Sequence, residues 1–368
     1  KDVFFLSGTD EHGQKVEKAA KDANIDPQDF VDKLSTNFEK LIPDLGCEIN
    51  DFIRTTQKRH IKSAQALWNK LIENDQIYLS NYEGWYSVRD EAFYQESELK
   101  KIDGNFVTQN GSPVEWVKEQ SYFFRLSNWQ SKLTELYENN PDKIAPKSRY
   151  NEVLSFIKSG LKDLSISRTT FDWGVQVPNN DKHVMYVWID ALCNYLTAID
   201  YPDTSSQKYS KYWPAIHVVG KDILRFHAVY WPAFLLAAEL KPPKKIFAHG
   251  WWTNEGKKIS KSLGNTIDPY EIINEYGLDQ IRYFLFREVP FGNDGDFSKK
   301  AISKRVNADL SNNYGNLIQR ILSFIVKNCN STINPVYDYN NDDFNLIENF
   351  KIKYLEYKNF MDNLQIDK

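Results

Sequence analysis

The nine residues Lys257-Lys258-Ile259-Ser260-Lys261-Ser262-Leu263-Gly264-Asn265 set three lysines, two serines and a glycine shortly after a compact apolar and aromatic run, Ile246 to Trp252. Such a run reads as a buried strand, which puts the lysines on the loop leaving its end. In an open α/β sheet, ligands bind outside the carboxyl ends of the strands. Ammonium groups at that place meet phosphate charge, and serine hydroxyls and backbone N–H groups add hydrogen bonds, so the stretch suits a polyphosphate. Taken as a bare K-K-x-S-K it fits a solvated basic turn better than a ligand site.

Length bounds the rest. A chain of 368 residues holds about two to three domains. Hydrophobic residues at 41% and charged residues at 26% describe an ordinary soluble globular protein. No apolar run approaches the ~18 residues of a spanning helix, and no signal peptide is visible, although a chain opening at Lys1 says nothing about targeting. The three cysteines, Cys47, Cys193 and Cys329, lie far apart and form no C-x-x-C, which fits a reducing compartment and excludes a cysteine-rich zinc site. Net charge is −4, so any nucleic acid must be held by local patches rather than a bulk basic face. The 53 aromatic residues (10 Trp, 21 Tyr, 22 Phe) exceed what a core alone asks for, and some could be stacking platforms.

Along the chain, Asp2 to Leu6 reads as a short strand and Ser7 to Gly13 as a turn, with a helix from Gln14 to Asp22. Asp10 and Thr9 fit a helix cap. A polar Asp-Glu-His cluster at a strand end is also where a ligand would sit. Helices follow over Pro27 to Leu41 and His60 to Asn74, with Thr55-Thr56-Gln57 as a cap and His60 as a surface or core histidine. Gln76 to Phe124 changes texture to short strands and turns, the pattern of a small inserted β module. Two helical stretches, Ser127 to Asn139 and Arg149 to Lys162, lead to Ser165-Ile166-Ser167-Arg168, where a surface charge would explain Arg168. His183 to Trp188 alternates as a strand and continues as a helix. If that helix begins near Trp188, then Trp188, Leu192 and Tyr195 share related faces, as core packing would also require. Ile216 to Val219 is a strand ending in Gly220-Lys221-Asp222. There a glycine permits close approach of a ligand, and Asp222 could hold ribose hydroxyls or simply cap the next helix. That helix runs from Ile223 to Glu239 and carries His227 one turn beyond Ile223, by default a core histidine. Pro269 to Tyr276 and Asp279 to Arg287 are helical, and from Ser298 onward the pattern is helical throughout. Asn316 and Arg320 are four apart, so one helix face offers both, either to exposed bases or to water. There is no internal repeat, no P-loop and no G-x-G-x-x-G.

Several blocks resemble one family. K-I-S-K-S-L-G-N is similar to the K-M-S-K-S signature of class I aminoacyl-tRNA synthetases, and Gly8-Thr9-Asp10-Glu11-His12-Gly13 resembles the G-T-D-E-H-G block of methionyl-tRNA synthetases. Tyr82 to Tyr94 and Gly111 to Trp116 resemble that family's connective module, and Asn307 to Arg320 its first anticodon-bundle helix. The resemblance runs from Val3 to about Arg320. It implies an α/β fold with a doubly wound, Rossmann-like parallel sheet, a small β-rich insertion and an α-helical bundle. The domains expected are residues 1–75 and 126–297 for the catalytic part, 76–125 for the insertion and 298–368 for the start of the bundle.

The activity implied is ATP-dependent formation of methionyl-adenylate, then transfer of methionine to the terminal ribose of tRNA(Met), in the cytoplasm. By the same resemblance Lys258, Lys261, Ser260, Ser262 and Arg168 serve the reaction. Asp10, Trp188, Leu192, Tyr195, Ile223 and His227 take methionine. Gly220, Asp222, His249, Gly250, Trp252, Lys258 and Lys261 take ATP with Mg²⁺, and Asn316 and Arg320 read the anticodon. No membrane is implied, and either a monomer or a dimer fits. Many members carry zinc cysteines in the connective module; here Ser87, Asp90, Thr108 and Asn110 stand near those places, so no structural zinc is expected. The family's H-I-G-H motif lies upstream of G-T-D-E-H-G, and none of the six histidines, at 12, 60, 183, 217, 227 and 249, forms it. The chain therefore reads as an internal fragment, expected to be inactive by itself. The competing readings are a synthetase for leucine, isoleucine or valine, and a non-catalytic tRNA-binding module. The first usually needs a large editing insertion, for which there is no room.

Overall fold

The computed structural model describes all residues except 1, 91, 103, 260–263, 334, 336 and 337. The chain forms two compact units, Lys1–Phe247 and Ala248–Lys368. Their division falls well ahead of residue 298, where the helical pattern becomes continuous.

The first unit begins with a parallel pair, Leu6–Thr9 beside Asp51–Arg54, in the register Leu6↔Asp51 to Thr9↔Arg54. Parallel neighbours need a long crossover, here the helices Gln14–Asp22 and Pro27–Asp44. The strand expected over Asp2 to Leu6 thus starts where it was expected to end, and Ser7-Gly8-Thr9 joins the sheet rather than turning. The reason is steric. A Cβ on Gly8 would lie 2.0 Å from the Ile53 carbonyl oxygen, so only glycine lets the two strands approach. The expected cap by Thr9 or Asp10 is also absent: Gly13 occupies the cap position of Gln14–Asp22, without a side-chain bond.

The helix Lys58–Glu73 buries His60, Ser63, Ala64, Leu67, Trp68 and Leu71, the spacing of one helical face, and anchors the core of this unit. Gln57 takes its cap position, again without a side-chain bond. A second parallel pair joins Lys245–His249 to Ile144–Ala145, and Ile216–Gly220 completes that sheet on the other side. Between these parallel pieces the insertion forms a long antiparallel hairpin, Ile77–Ser87 with Glu115–Phe124, paired from Ile77↔Phe124 to Tyr86↔Glu115. The strand expected over His183 to Trp188 lies at Asn180–Met185 instead, because Tyr186 sends its N–H to Ile166 and its carbonyl opens the helix Val187–Leu192.

In the second unit, Trp252–Asn254 pairs with Gly295–Phe297 in parallel and with Lys257–Lys258 antiparallel. Lys257 and Lys258 therefore form the return strand of a tight hairpin, not a loop leaving one long strand. The cause is the turn Glu255-Gly256, both at positive φ, which reverses the chain between the two strands. Ile272, Ile281, Phe284, Phe297 and Ile302 make this unit's core, with Trp252 packed against it. The helices Pro269–Tyr276 and Lys299–Arg305 start on side-chain caps from Asp268 and Ser298.

Candidate active site

The helix Val187–Leu192 and the turn after Ile216–Gly220 bring four of the expected pocket residues together. The Trp188 ring stacks on Phe226 at 3.8 Å with the planes 4° apart, and His227 meets Trp188 edge-on at 6.2 Å. Tyr195 Oη lies 2.8 Å from His227 Nε2, and His227 Nδ1 lies 2.9 Å from the Ile223 carbonyl. A carbonyl only accepts, so Nδ1 carries the proton and Nε2 accepts from the Tyr195 hydroxyl. Burial lowers the His227 pKa to about 4, against the smaller upward pull of the Ile223 bond and the Asp222 charge. Leu192, on the same helix, is buried. His227 sits in a single π-helical turn, Phe226–Tyr230, a widening found often at functional sites and carrying no sequence signal. His217 closes the group from Ile216–Gly220: its buried ring lies 3.9 Å from Tyr195, and burial holds its pKa well below the ordinary value. The wall is thus aromatic and uncharged. Gly220 ends the strand and Asp222 lies in the short 3-10 turn Lys221–Ile223, just ahead of it.

Asp10 is exposed at the carboxyl end of Leu6–Thr9, and its two neighbours explain why. Glu11 is buried and takes a fork from Arg54, at 2.7 Å on Oε1 and 3.1 Å on Oε2, with Thr9 Oγ1 donating at 2.7 Å. Arg54 also pairs with Asp32. Trp173 Nε1 donates to the Glu11 carbonyl at 2.7 Å, and Gly13 N donates to the Trp173 carbonyl at 3.0 Å. His12 points inward, its Nδ1 2.6 Å from Asp190 Oδ2, while His60 Nε2 is 2.7 Å from Asp190 Oδ1. Glu11 and His12 therefore clamp the segment, and Asp10 is the acid left at the surface.

Burial pushes the Asp190 carboxyl up, but the His12 charge and the bonds from both histidines outweigh it and hold its pKa at about 2. Burial likewise lowers His12, and Asp190 more than reverses this, leaving His12 above the ordinary histidine value. None of this cluster was expected from sequence. The available signal was a lone aspartate in the apolar helix segment Trp188-Ile189-Asp190-Ala191-Leu192, since a buried carboxylate requires partners.

Arg168 is buried, which corrects the surface-charge alternative. Its Nη1 donates to Ser165 Oγ at 3.0 Å and to the Ser167 carbonyl at 2.6 Å, and the guanidinium lies over the Tyr186 ring at 4.5 Å. It borders a cavity of about 120 Å³ together with Gln14, Tyr86, Glu119 and Thr170.

In the second unit, Asn265 fixes the base of the lysine-serine stretch. Its Nδ2 donates to the Lys258 carbonyl at 3.0 Å, and its own carbonyl accepts from Asn254 Nδ2 at 2.9 Å. Lys258 is exposed, its Nζ 5.9 Å from the Trp251 ring centre. Ser260, Lys261 and Ser262 lie outside the described residues. His249 Nδ1 bonds the Gly250 carbonyl at 2.9 Å, and a Cβ on Gly250 would lie 2.1 Å from the Asn293 carbonyl oxygen, so this glycine has a packing reason of its own. Trp252 places its ring 5.8 Å from Phe284, in the core, leaving its backbone as the part a ligand could use. Asn316 and Arg320 are both exposed on the helix Asn316–Asn328.

In the insertion, Asp90 accepts from Ser112 Oγ at 2.9 Å and donates its N–H to Ser87 Oγ at 3.2 Å, while Thr108 Oγ1 accepts from Ser112 N at 3.1 Å. Ser112, rather than the exposed Asn110, completes this knot. Among the described residues no group of three or more His, Cys, Asp or Glu could hold a metal ion.

Comparison with known proteins shows the family. The methionine–tRNA ligase of Rickettsia typhi is 63% identical over 329 residues, which cover 89% of this chain and 64% of that protein. That of Brucella suis is 57% identical over 334 residues, covering 90% of this chain and 65% of the relative. The chain thus spans just under two thirds of the length of these relatives. The crystal structure of Mycobacterium tuberculosis methionyl-tRNA synthetase bound by methionyl-adenylate superposes with a TM-score of 0.95 at 48% identity, covering 100% of this chain and 72% of that one. The model of the family described as tRNA synthetases class I (M) matches residues 1–322, and the chain belongs to that family.

Proposed function

We propose that the full-length protein is a methionine–tRNA ligase, and the observation that carries this is the uncharged aromatic cluster of Trp188, Tyr195, Phe226 and His227. An unbranched thioether suits it, because sulfur packs well against aromatic edges. The Tyr195 hydroxyl donates to His227 Nε2 and His227 Nδ1 donates to the Ile223 carbonyl, while Trp188 Nε1 and both ring nitrogens of His217 are buried without a hydrogen-bond partner. The relatives named as methionine–tRNA ligases and the neighbour that binds methionyl-adenylate support the same substrate.

In this reading Asp10 meets the methionine ammonium, and Leu192 and Ile223 fill the pocket's apolar side. Gly220 and Asp222 serve the ribose of ATP, and His249, Gly250 and the Trp252 backbone serve its adenine. A methionine carboxylate oxygen attacks the α-phosphorus, the bond to pyrophosphate breaks, and methionyl-adenylate forms. Negative charge grows on the phosphoryl oxygens and the leaving group, where Lys258, Lys261 and Arg168, with hydroxyls from Ser260 and Ser262, stabilise it. Lys258 and Lys261 would meet the nucleotide's phosphates together with any Mg²⁺ bound to them, which would supply further charge neutralisation. A ribose hydroxyl at the tRNA 3′ end then attacks the acyl carbon and releases AMP. Asn316 and Arg320 offer one exposed helix face to anticodon bases.

Amino-acid-dependent exchange of pyrophosphate into ATP, run on the full-length gene product with methionine, leucine, isoleucine and valine, tests the reading. Methionine should support exchange at least ~10²-fold better, as kcat/KM, than the branched competitors. Preference for a branched amino acid would favour a sister synthetase, and no exchange with any would favour a non-catalytic module.

A further inference from the structure

Glu119 is a buried acid on the insertion strand Glu115–Phe124, and it faces the catalytic part of the first unit. Its Oε2 accepts from Thr169 N and from Thr169 Oγ1, both at 3.0 Å. Its Oε1 lies 3.9 Å from Arg168 Nε. Two hydrogen bonds to a neutral N–H and a hydroxyl do not require a charge, since an amide oxygen would accept both. A buried carboxylate is retained at a cost, and the group nearby that a negative charge serves is the Arg168 guanidinium.

The surroundings make the same point. The insertion supplies Tyr86, whose ring lies 5.4 Å from the guanidinium on one side, while Tyr186 covers it at 4.5 Å. The backbone around Arg168 is stitched to the same insertion strand: Ser167 Oγ accepts from Tyr122 N at 2.8 Å, and Ser121 Oγ donates to the Ser167 carbonyl at 3.0 Å. Arg168 and Glu119 then border one cavity with Gln14, the first residue after the Gly8–Gly13 segment.

We propose that Glu119 is a positioning residue: through its charge and its grip on Thr169, the insertion fixes the direction in which Arg168 presents its guanidinium to the reacting phosphate. This rests on the reading above, in which Arg168 serves adenylate formation.

The test is a double-mutant cycle in the full-length protein, read by methionine-dependent pyrophosphate exchange, with Glu119→Gln, Arg168→Ala and the pair. Glu119→Gln keeps an acceptor for Thr169 and removes the charge. It should lower kcat roughly 10- to 100-fold, the scale of a misplaced catalytic group, while the methionine KM changes less than about threefold. In the Arg168→Ala background the same change should cost less than about twofold, because the group it positions is gone. An Arg168→Ala protein at the parental rate would overturn the role of Arg168 and this inference together. Slow Arg168→Ala beside a parental Glu119→Gln would overturn this inference alone. Equal losses in both backgrounds would also overturn it, by making Glu119 a purely structural acid. Should Glu119→Gln fail to fold, Glu119→Asp keeps the charge on a shorter stem and must show the same loss and the same non-additivity.

Discussion

Two buried histidine clusters lie five residues apart along one stretch of chain, at Asp190 and at Tyr195, and their surroundings push histidine pKa values in opposite directions. Asp190 stands between His12 and His60, its pKa held at about 2 while that of His12 is raised. Tyr195 stands between His227 and His217, and there burial lowers both imidazoles, His227 to about 4. The residue type is the same and the burial is similar. What differs is a carboxylate in hydrogen-bond contact, which turns the penalty for a buried imidazolium into an ion pair. One cluster is thereby a brace holding the Asp10 segment to the pocket helix. The other is an uncharged wall suited to an apolar side chain.

The sharpest way to break this contrast is to neutralise the brace. Asp190→Asn removes the buried carboxylate that His12 and His60 both bond and should cost about 3–5 kcal/mol of unfolding free energy. Tyr195→Phe removes one neutral hydrogen bond from the wall and should cost only about 1–2 kcal/mol. Urea titration of the two variants decides it, and equal costs would mean the clusters do not differ as described.

Next in size is the wall's own function. Trp188→Ala and Tyr195→Ala should each weaken methionine binding roughly 10- to 100-fold and ATP binding by less than about threefold, measured by calorimetry. Folded variants that bind methionine like the parent would reduce both aromatics to core packing.

A further stability effect concerns acid. His227 binds its proton less readily folded than unfolded, so its contribution is full above about pH 6.5 and is lost as pH falls toward about 4. His217 acts in the same direction. His12, with a raised pKa, contributes fully below about pH 6.5 and loses that contribution as pH rises through its folded value. Asp190 contributes above about pH 3.8 and only fails toward about 2. Stability should therefore drop by roughly 3 kcal/mol between about pH 6.5 and 4 on account of His227, and His227→Phe should make the measured decline shallower. An unchanged slope in that variant would show that the wall histidine is not held neutral.

The same contrast marks what a sequence discloses. Order set by contiguous residues was readable: helices such as Gln14–Asp22 and Pro269–Tyr276 have a period and flanks that agree with the structure at both ends. The spacing of Trp188 and Tyr195 and the place of His227 one turn from Ile223 fit core packing as well, so only the resemblance set these residues apart. The brace was not readable, since His12 and His60 reach Asp190 from 178 and 130 residues away. Glu119 was missed for the same reason, lying 50 residues from the Thr169 it holds. Local misplacements had local causes. Ser7–Thr9 carries turn residues yet pairs as a strand because Gly8 admits Ile53, and Lys257-Lys258 looks like loop yet pairs across the Glu255-Gly256 turn.

Calorimetric titration of methionine into the full-length protein, at about pH 7.5 and about pH 5.5, tests most directly whether the uncharged aromatic cluster around Tyr195 and His227 receives methionine. An ordinary histidine changes charge across that interval, whereas His227 at about 4 does not. The account predicts saturable methionine binding whose Kd differs by less than about threefold between the two conditions, with leucine binding at least ~10-fold more weakly in both. Absence of methionine binding, or affinity that collapses as the pH is lowered, would contradict it.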